Sequence, residues 1–294
     1  MTAVTVVERP ARTPAERAVR WLRKTPVHVA LIAVSLVWLT PTIGLLITSF
    51  RPRSEIQSTG WWTIFTGNID FTLENYTQVL EAQGMLDGFL NSVSITVPST
   101  ILPLVLASFA AFAFAWVNFP MRDTLFLGVI ALLLIPIQMT LIPLSRLFGD
   151  MGITGSFLPV WIAHTTFALP FGIFLLRNFF ITLPRDLIEA ARIDGASNWG
   201  IFRRIVVPLS VPALASYGIF QFLWVWNDLL MALVYVQRNA AWPMTIEVTQ
   251  LLGTYASEWN LLSAAAFIVM LVPLIVFFSL QRYFVQGLLA GSVK

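Results

Sequence analysis

Two short stretches of an otherwise oily chain group side chains able to do chemistry. In "EAARIDG", residues 189–195, the ionisable Glu189, Arg192 and Asp194 stand among the small Ala190, Ala191 and Gly195. In "FLWVWNDLL", residues 222–230, Trp224, Trp226, Asn227 and Asp228 fall within five residues. Glu189 and Arg192, three apart, share a helix face and can pair with each other or with a partner; the alanines let such a partner approach the backbone closely. An ionisable group inside an apolar run normally faces a bundle interior or a watery cavity, which makes Asp228 a candidate pathway group. Counted from the inner end of its run it lies about 19 residues along, roughly 30 Å at ~1.5 Å per residue, so a solvated acid at the outer helix end is an equal reading. The tryptophans divide in the same way between a pathway and an interfacial aromatic belt. Consecutive residues cannot all face one pore.

Two further polar groups interrupt apolar runs. Gln138 lies between Pro136 and Pro143, which weaken a helix and can expose carbonyls to a cavity. His164 precedes Thr165 and Thr166. Each can line a pathway or serve as hydrogen-bonding glue between helices.

Several chemistries are excluded. The chain has no cysteine, hence no disulfide, thiolate metal site or cysteine nucleophile. Its two histidines, His28 and His164, are too few for a histidine-built metal cluster. No G-x-S-x-G or H-E-x-x-H occurs, which argues against an intramembrane hydrolase. There is no G-x-x-x-x-G-K-[ST] phosphate loop for ATP. A self-sufficient secondary transporter would tend to show charged midplane sites and an internal repeat, and neither is visible. A net charge of +3 points to membrane orientation rather than to nucleic acid.

The elements that must position these residues follow from hydropathy. With 57% hydrophobic residues, 11% charged and a mean hydropathy of +0.78, 294 residues cannot hide their apolar surface in one water-soluble core. Stretches long enough to span a bilayer run over 27–50, 89–117, 124–147, 156–180, 209–236 and 261–284, and lipid requires them to be helices. The first is too long for a signal peptide and lacks a small-residue cleavage site, so it reads as a retained anchor. Of the 18 Lys and Arg residues, only Arg51, Arg53, Arg146 and Arg238 fall on one side; the rest cluster in the N-terminal tail, at Arg122, at Arg177 to Arg204 and at the C-terminus. By the positive-inside rule both termini are cytoplasmic, with an even number of spans.

That topology puts "EAARIDG" in a cytoplasmic loop. Pro184 near the first turn, Asp186 and Glu189 toward the positive end and Arg192 toward the negative end punctuate a short helix that Gly195 ends. Ser197 can cap a second helix whose Trp199, Phe202 and Ile205 recur at i, i+3 and i+6 before Pro208 opens the next span. A helix-turn-helix knob is one reading; an amphipathic loop on the headgroups is the other.

Glu189, Ala190, Ala191, Gly195, Ile205 and Pro208 match, at the same spacing, the "EAA" loop that marks permease subunits of binding-protein-dependent ABC importers; Val207 stands where that pattern usually has Leu. "NSVSITVPS", "AAFAFAW", "FLWVWNDLL" and "QRYFVQGLLAGSVK" resemble the carbohydrate-transporter branch, in particular its MalG-like subunit, over residues 27–294. The resemblance implies an all-α membrane protein of six transmembrane helices, N-in and C-in, with the ABC type I importer transmembrane fold. It further implies a basic cytoplasmic tail over 1–26, a permease domain over 27–294 and a coupling loop at 182–208. Two ATP-binding cassette subunits would dock at that loop and carry ATP and Mg, leaving this chain without cofactor or enzymatic activity of its own. In that docking Glu189 would be the charged contact, Ala190 and Ala191 the close-packing face and Gly195 the turn, with Arg192 and Asp194 beside them. Other implied partners are a second, MalF-like permease subunit and an extracytoplasmic solute-binding protein, in a bacterial cytoplasmic membrane. The implied solute is a mono-, di- or oligosaccharide, with a polyol or sugar phosphate as the alternative. A sugar site combines an aromatic platform with convergent hydrogen-bonding groups, which singles out Trp224, Asn227, Asp228, Gln138 and His164; the second permease could instead hold most of the contacts.

Between Arg51 and Gly88 lies the longest polar stretch. Its Leu73, Tyr76 and Leu80 predict a short interfacial helix, either a contact for the solute-binding protein or a plain lid.

Overall fold

In the computed structural model, residues 14–67, 70–82, 84–237, 239–254 and 258–290 are described, and among them there is no strand. The basic tail residues Arg9 and Arg12, together with Arg238 and Lys294, lie outside the described residues. Long helices are α1 (Pro14–Ser49), α4 (Met85–Trp116), α7 (Leu158–Phe180) and α14 (Trp259–Ala290). Between α1 and α4 come α2 (Arg53–Ser58), a 3-10 turn and α3 (Glu74–Ala82). Next are α5 (Arg122–Ala131) and α6 (Ile137–Asp150), then after α7 the short α8 (Arg185–Ile193), α9 (Asn198–Ile201) and α10 (Val207–Leu209). The remaining helices are α11 (Val211–Trp226), α12 (Leu230–Tyr235) and α13 (Met244–Thr254).

Four of these helices are long and apolar enough to cross a membrane, or up to six if each of two bent pairs forms one span. The first bend falls inside a stretch expected to be continuous, 124–147, whereas the second falls where the fifth stretch was expected to begin. The first is a 95° break between 122–134 and 137–150. Pro136 causes it: proline drives the preceding residue out of helical geometry, and Ile135 is extended at φ −78°, ψ 115°. Pro143, by contrast, stays within α6. The second, of 76°, separates 198–209 from 211–226. The straight part of the fifth stretch therefore starts at Val211, not after Pro208, and it stops at Trp226 rather than running on to Val236.

Around α4, α7, α11 and α14 the bundle packs through small residues and sparse polar bridges, as helices in lipid do. Ala107 and Ala111 of α4 are fully buried against α7. At Gly172 the Tyr217 ring occupies the place a side chain would take, and the Tyr217 hydroxyl donates to the Ala168 carbonyl at 2.9 Å. Trp161 Nε1 donates to the Ser94 carbonyl at 3.0 Å, and Gln221 Nε2 to that of Ser99 at 3.2 Å. Most apolar side chains of α1 are exposed, as a helix facing lipid requires.

Candidate functional site

At one end of the bundle, residues 182–208 form the expected knob. Pro184 caps the start of α8, with Asp186 in the first turn and Arg192 in the last, the order a helix dipole favours. Gly195 adopts φ +78°, the left-handed region. The Ala196 N–H donates to the Ala191 carbonyl at 2.9 Å and the Gly195 N–H to that of Arg192 at 3.0 Å, a complete Schellman closure. Ser197 Oγ then accepts the Gly200 N–H at 3.2 Å and caps α9.

Ile188, Ile201, Phe202 and Val206 are buried and belong to one cluster with Ala107, Phe112, Leu176 and Phe180 of α4 and α7. The knob is thus an extension of the bundle core. Of the expected stripe Trp199, Phe202 and Ile205, Phe202 is buried and Ile205 packs partly buried against the core, while Trp199 is replaced by Ile201 and Val206. Residues 202–206 form a π-helical turn, whose wider winding brings Ile201, Phe202 and Val206 to one side. Trp199 remains 57% exposed, stacked on Phe202 at 5.8 Å. Ala191 packs against the core, so of the two alanines only Ala190 stays on the outer surface, beside Glu189, Asp194 and the exposed Leu187 and Ile193.

Arg192 does not pair with Glu189 in this arrangement. Its guanidinium donates to the Trp116 carbonyl at 2.5 Å, at the C-terminal end of α4. Arg177, in the last turn of α7, donates to the Phe114 carbonyl at 3.4 Å, lies 4.1 Å over the Phe126 ring and approaches Asp123 at 3.9 Å. Two cations therefore crown the negative end of α4 and tie the knob to α4, α5 and α7. Sequence reasoning counted Arg177 only as a positive charge; its place in a last helical turn was visible, but its partner lies 63 positions away.

A second site opens beside the break at Pro136 and the end of α11. A cleft of ≈ 710 Å³ is lined by Gln138, His164, Thr166, Phe167, Gln221 and Trp224 among mainly apolar neighbours. An adjoining recess of ≈ 400 Å³ shares Ile137, Gln138 and Trp224 with it and adds Asn227 and Asp228. All five residues singled out for a pathway thus line the cleft or its adjoining recess. One bend and one helix end bring this about: the break at Pro136 presents Gln138, and the end of α11 at Trp226 presents Asn227 and Asp228. Trp226 is not among them. It is buried on the opposite side of α11, donating from Nε1 to the Val269 carbonyl at 3.0 Å, and is no belt residue.

Asp228 is neither a free acid at a helix end nor fully buried. Its side chain is 13% exposed, its Oδ1 and Oδ2 accept the Met231 and Ala232 N–H groups at 3.4 and 3.1 Å, and its own carbonyl accepts from Thr245 Oγ1 at 2.9 Å. His164 is buried, with Nε2 3.6 Å from Asp228 Oδ2, too long for a hydrogen bond. That nitrogen has no hydrogen-bond partner, so His164 is not interhelical glue through Nε2. No group of three potential metal ligands occurs among the described residues.

Away from both sites, the stretch from Arg51 to Gly88 folds over the helix ends. Its helix α3 turns Asn75, Tyr76 and Val79 inward rather than Leu73 and Leu80, because Asn75 Nδ2 satisfies the Ser49 and Arg51 carbonyls at 2.9 Å and Asn260 in turn donates to Asn75 Oδ1 at 2.8 Å. In α13, partial burial raises the Glu247 carboxyl above its ordinary range, and the negative charge of Asp87 adds to the shift.

A helical bundle with four to six apolar spans, a partly polar cleft and a rigid knob at one end has the form of a membrane transport component. The chain belongs to the binding-protein-dependent transport system inner membrane component family, whose model matches residues 88–289. It is 52% identical over 282 residues to the osmoprotective compounds uptake permease protein GgtD of Synechocystis sp., covering 95% of each chain. It is 37% identical to the alpha-glucoside transport system permease protein AglG of Rhizobium meliloti, covering 91% of this chain and 96% of that one. Its fold superposes with a TM-score of 0.75, at 20% identity, on a bacterial ABC transporter involved in the import of the acidic polysaccharide alginate, covering 94% of this chain and 100% of that one.

Proposed function

We propose that this chain is the membrane-spanning permease subunit of an ATP-driven importer that carries a mono-, di- or oligosaccharide from an extracytoplasmic binding protein into the cytoplasm. The observation that carries the proposal is the knob: a surface with Glu189, Ala190, Leu187 and Ile193 outside is fused to the bundle core through Ile188, Ile201 and Phe202. A body held in this way moves as a unit, which a coupling element must do to bias two states of a bundle.

In this reading the bent pair α5 and α6 is one span and the stretch 209–236 around α11 another, giving six, with both termini cytoplasmic and residues 27–294 forming the permease domain in a bacterial inner membrane. Two ATP-binding cassette subunits dock on the knob and hold ATP and Mg. Glu189 makes the charged contact, Asp194 and Gly195 shape the turn, and Arg192 acts through α4. A second, MalF-like permease completes the pathway, to which this chain contributes Gln138, His164, Trp224, Asn227 and Asp228. Relatives named for alpha-glucoside, arabinooligosaccharides and glucose support the carbohydrate class.

The test is to tag the chain in its host, extract membranes in mild detergent and identify what co-purifies in stoichiometric amount. A second permease and a Walker-motif ATPase are expected, with ATP-dependent sugar uptake after reconstitution. Transport by the chain without any ATPase would overturn the proposal.

A further inference from the structure

We infer that the cleft of this chain discriminates by charge, admitting uncharged hydroxyl-bearing solutes and disfavouring anionic ones, with Asp228 reading the solute and His164 positioning Asp228. The inference rests on the importer reading and narrows its substrate class. Among the described residues lining the cleft and its recess there is no Lys or Arg, and Asp228 is the sole acid. The walls are otherwise Ile137, Leu144, Phe167, Phe171 and Phe220 with a few neutral polar groups. Apolar walls of low dielectric focus the field of a single charged group into the space they enclose. An anionic solute entering here exchanges water for a like charge and finds no cation from this chain to offset the loss.

A hydroxyl meets the opposite situation. It can donate to the Asp228 carboxylate, whose oxygens keep acceptor capacity beyond the Met231 and Ala232 N–H groups. The exposed amide of Gln138 supplies donors and an acceptor, and the half-exposed Trp224 supplies a flat apolar face across the same space. Beside the carboxylate, His164 lines the cleft with Nε2 3.6 Å from Asp228 Oδ2 and no hydrogen-bond partner, so its ring bounds the space open to Asp228 on that side.

Because the chain has no cysteine, Gln138→Cys gives it a unique thiol in the cleft. In membranes holding the full complex, labelling of that thiol by a neutral hydroxyethyl methanethiosulfonate is compared with labelling by its anionic sulfonatoethyl counterpart, each rate normalised to a free thiol in solution. The expected preference for the neutral reagent is about tenfold. Adding Asp228→Asn, which keeps an oxygen to cap α12, brings the ratio close to one; adding His164→Asn lowers it part of the way, an effect that loss of packing alone would not produce. Equal rates in the Gln138→Cys chain, or a preference unchanged by Asp228→Asn, would overturn the inference. Uptake decides the importer reading separately: ATP-dependent uptake without the charge preference removes this inference alone, and the preference without such uptake removes the importer reading alone.

Discussion

The knob and the cleft are built on opposite principles. In the knob the turn and cap hydrogen bonds close locally, with Gly195 and Ala196 closing α8 and Ser197 capping α9, while Arg192 ties the knob to the distant α4 carbonyl of Trp116. In the cleft, helices stop short at Ile135 and Asn227, His164 Nε2 goes unpartnered, and exposed side chains such as Gln138 and Trp224 face open space. Satisfied local hydrogen bonds make a segment stiff. Unsatisfied polar groups beside broken helices leave capacity for a passing solute. One region is made to transmit and the other to exchange partners.

The contrast breaks most sharply at Glu189 and Gly195. Glu189→Lys inverts the charge of the exposed knob face, and Gly195→Val places a β-branched residue at φ +78°, roughly 1–2 kcal/mol unfavourable although a Cβ there meets no neighbour. Both variants are expected to reach the membrane normally while ATP-dependent uptake drops on the order of tenfold to a hundredfold. Gly195→Asn, which tolerates the left-handed region, should retain most uptake. Normal uptake in Glu189→Lys and Gly195→Val would remove the coupling role.

Next in size is the packing that joins the two regions. A side chain at Gly172 meets the Tyr217 ring where α7 and α11 cross, so Gly172→Leu should destabilise the protein by about 1–3 kcal/mol, read as a lower thermal midpoint of the purified complex. Arg192→Ala leaves the core intact and removes the bond from knob to α4. A loss of about fivefold in uptake is expected, with ATP hydrolysis by the complex retained; equal loss of both would place Arg192 in docking instead.

The smallest effect sharpens the comparison from outside either region. Glu247 has a raised folded-state pKa, so the native state binds protons more readily than the unfolded chain there. That contribution to stability is full below the ordinary carboxylate range and is lost as pH rises through the raised value. Thermal midpoints should therefore rise modestly as pH falls from neutral, and Glu247→Gln should flatten this slope.

How much could be read in advance differs between the regions for the same reason that they differ in build. Helix α8, its left-handed Gly195 and the Ser197 cap were legible because each signal and its effect lie within a few residues. The π-helical turn at 202–206 was not: the spacing of Trp199, Phe202 and Ile205 did not show Val206 and Ile201 as the buried neighbours of Phe202, whose core contacts with Phe109 and Phe112 reward a wider winding. Similarly, leucine spacing in α3 pointed to the wrong face, because an amide ladder through Asn75 to Asn260 outweighs the burial of Leu73 and Leu80. Asp228, Gln138 and His164 were each noticed as polar groups in apolar runs, but nothing in the sequence said that they meet.

Composition and hydropathy were enough to establish a helical membrane protein, and punctuation by Pro184, Gly195 and Ser197 was enough to outline the knob, since desolvation and backbone geometry act residue by residue. Which way Arg192 and Ala191 face, and that Gln138, His164, Trp224, Asn227 and Asp228 line a cleft and its adjoining recess, arose only when α4, α6, α7 and α11 packed together. Those outcomes depend on contacts between residues tens of positions apart, and such contacts leave no periodic trace in the chain.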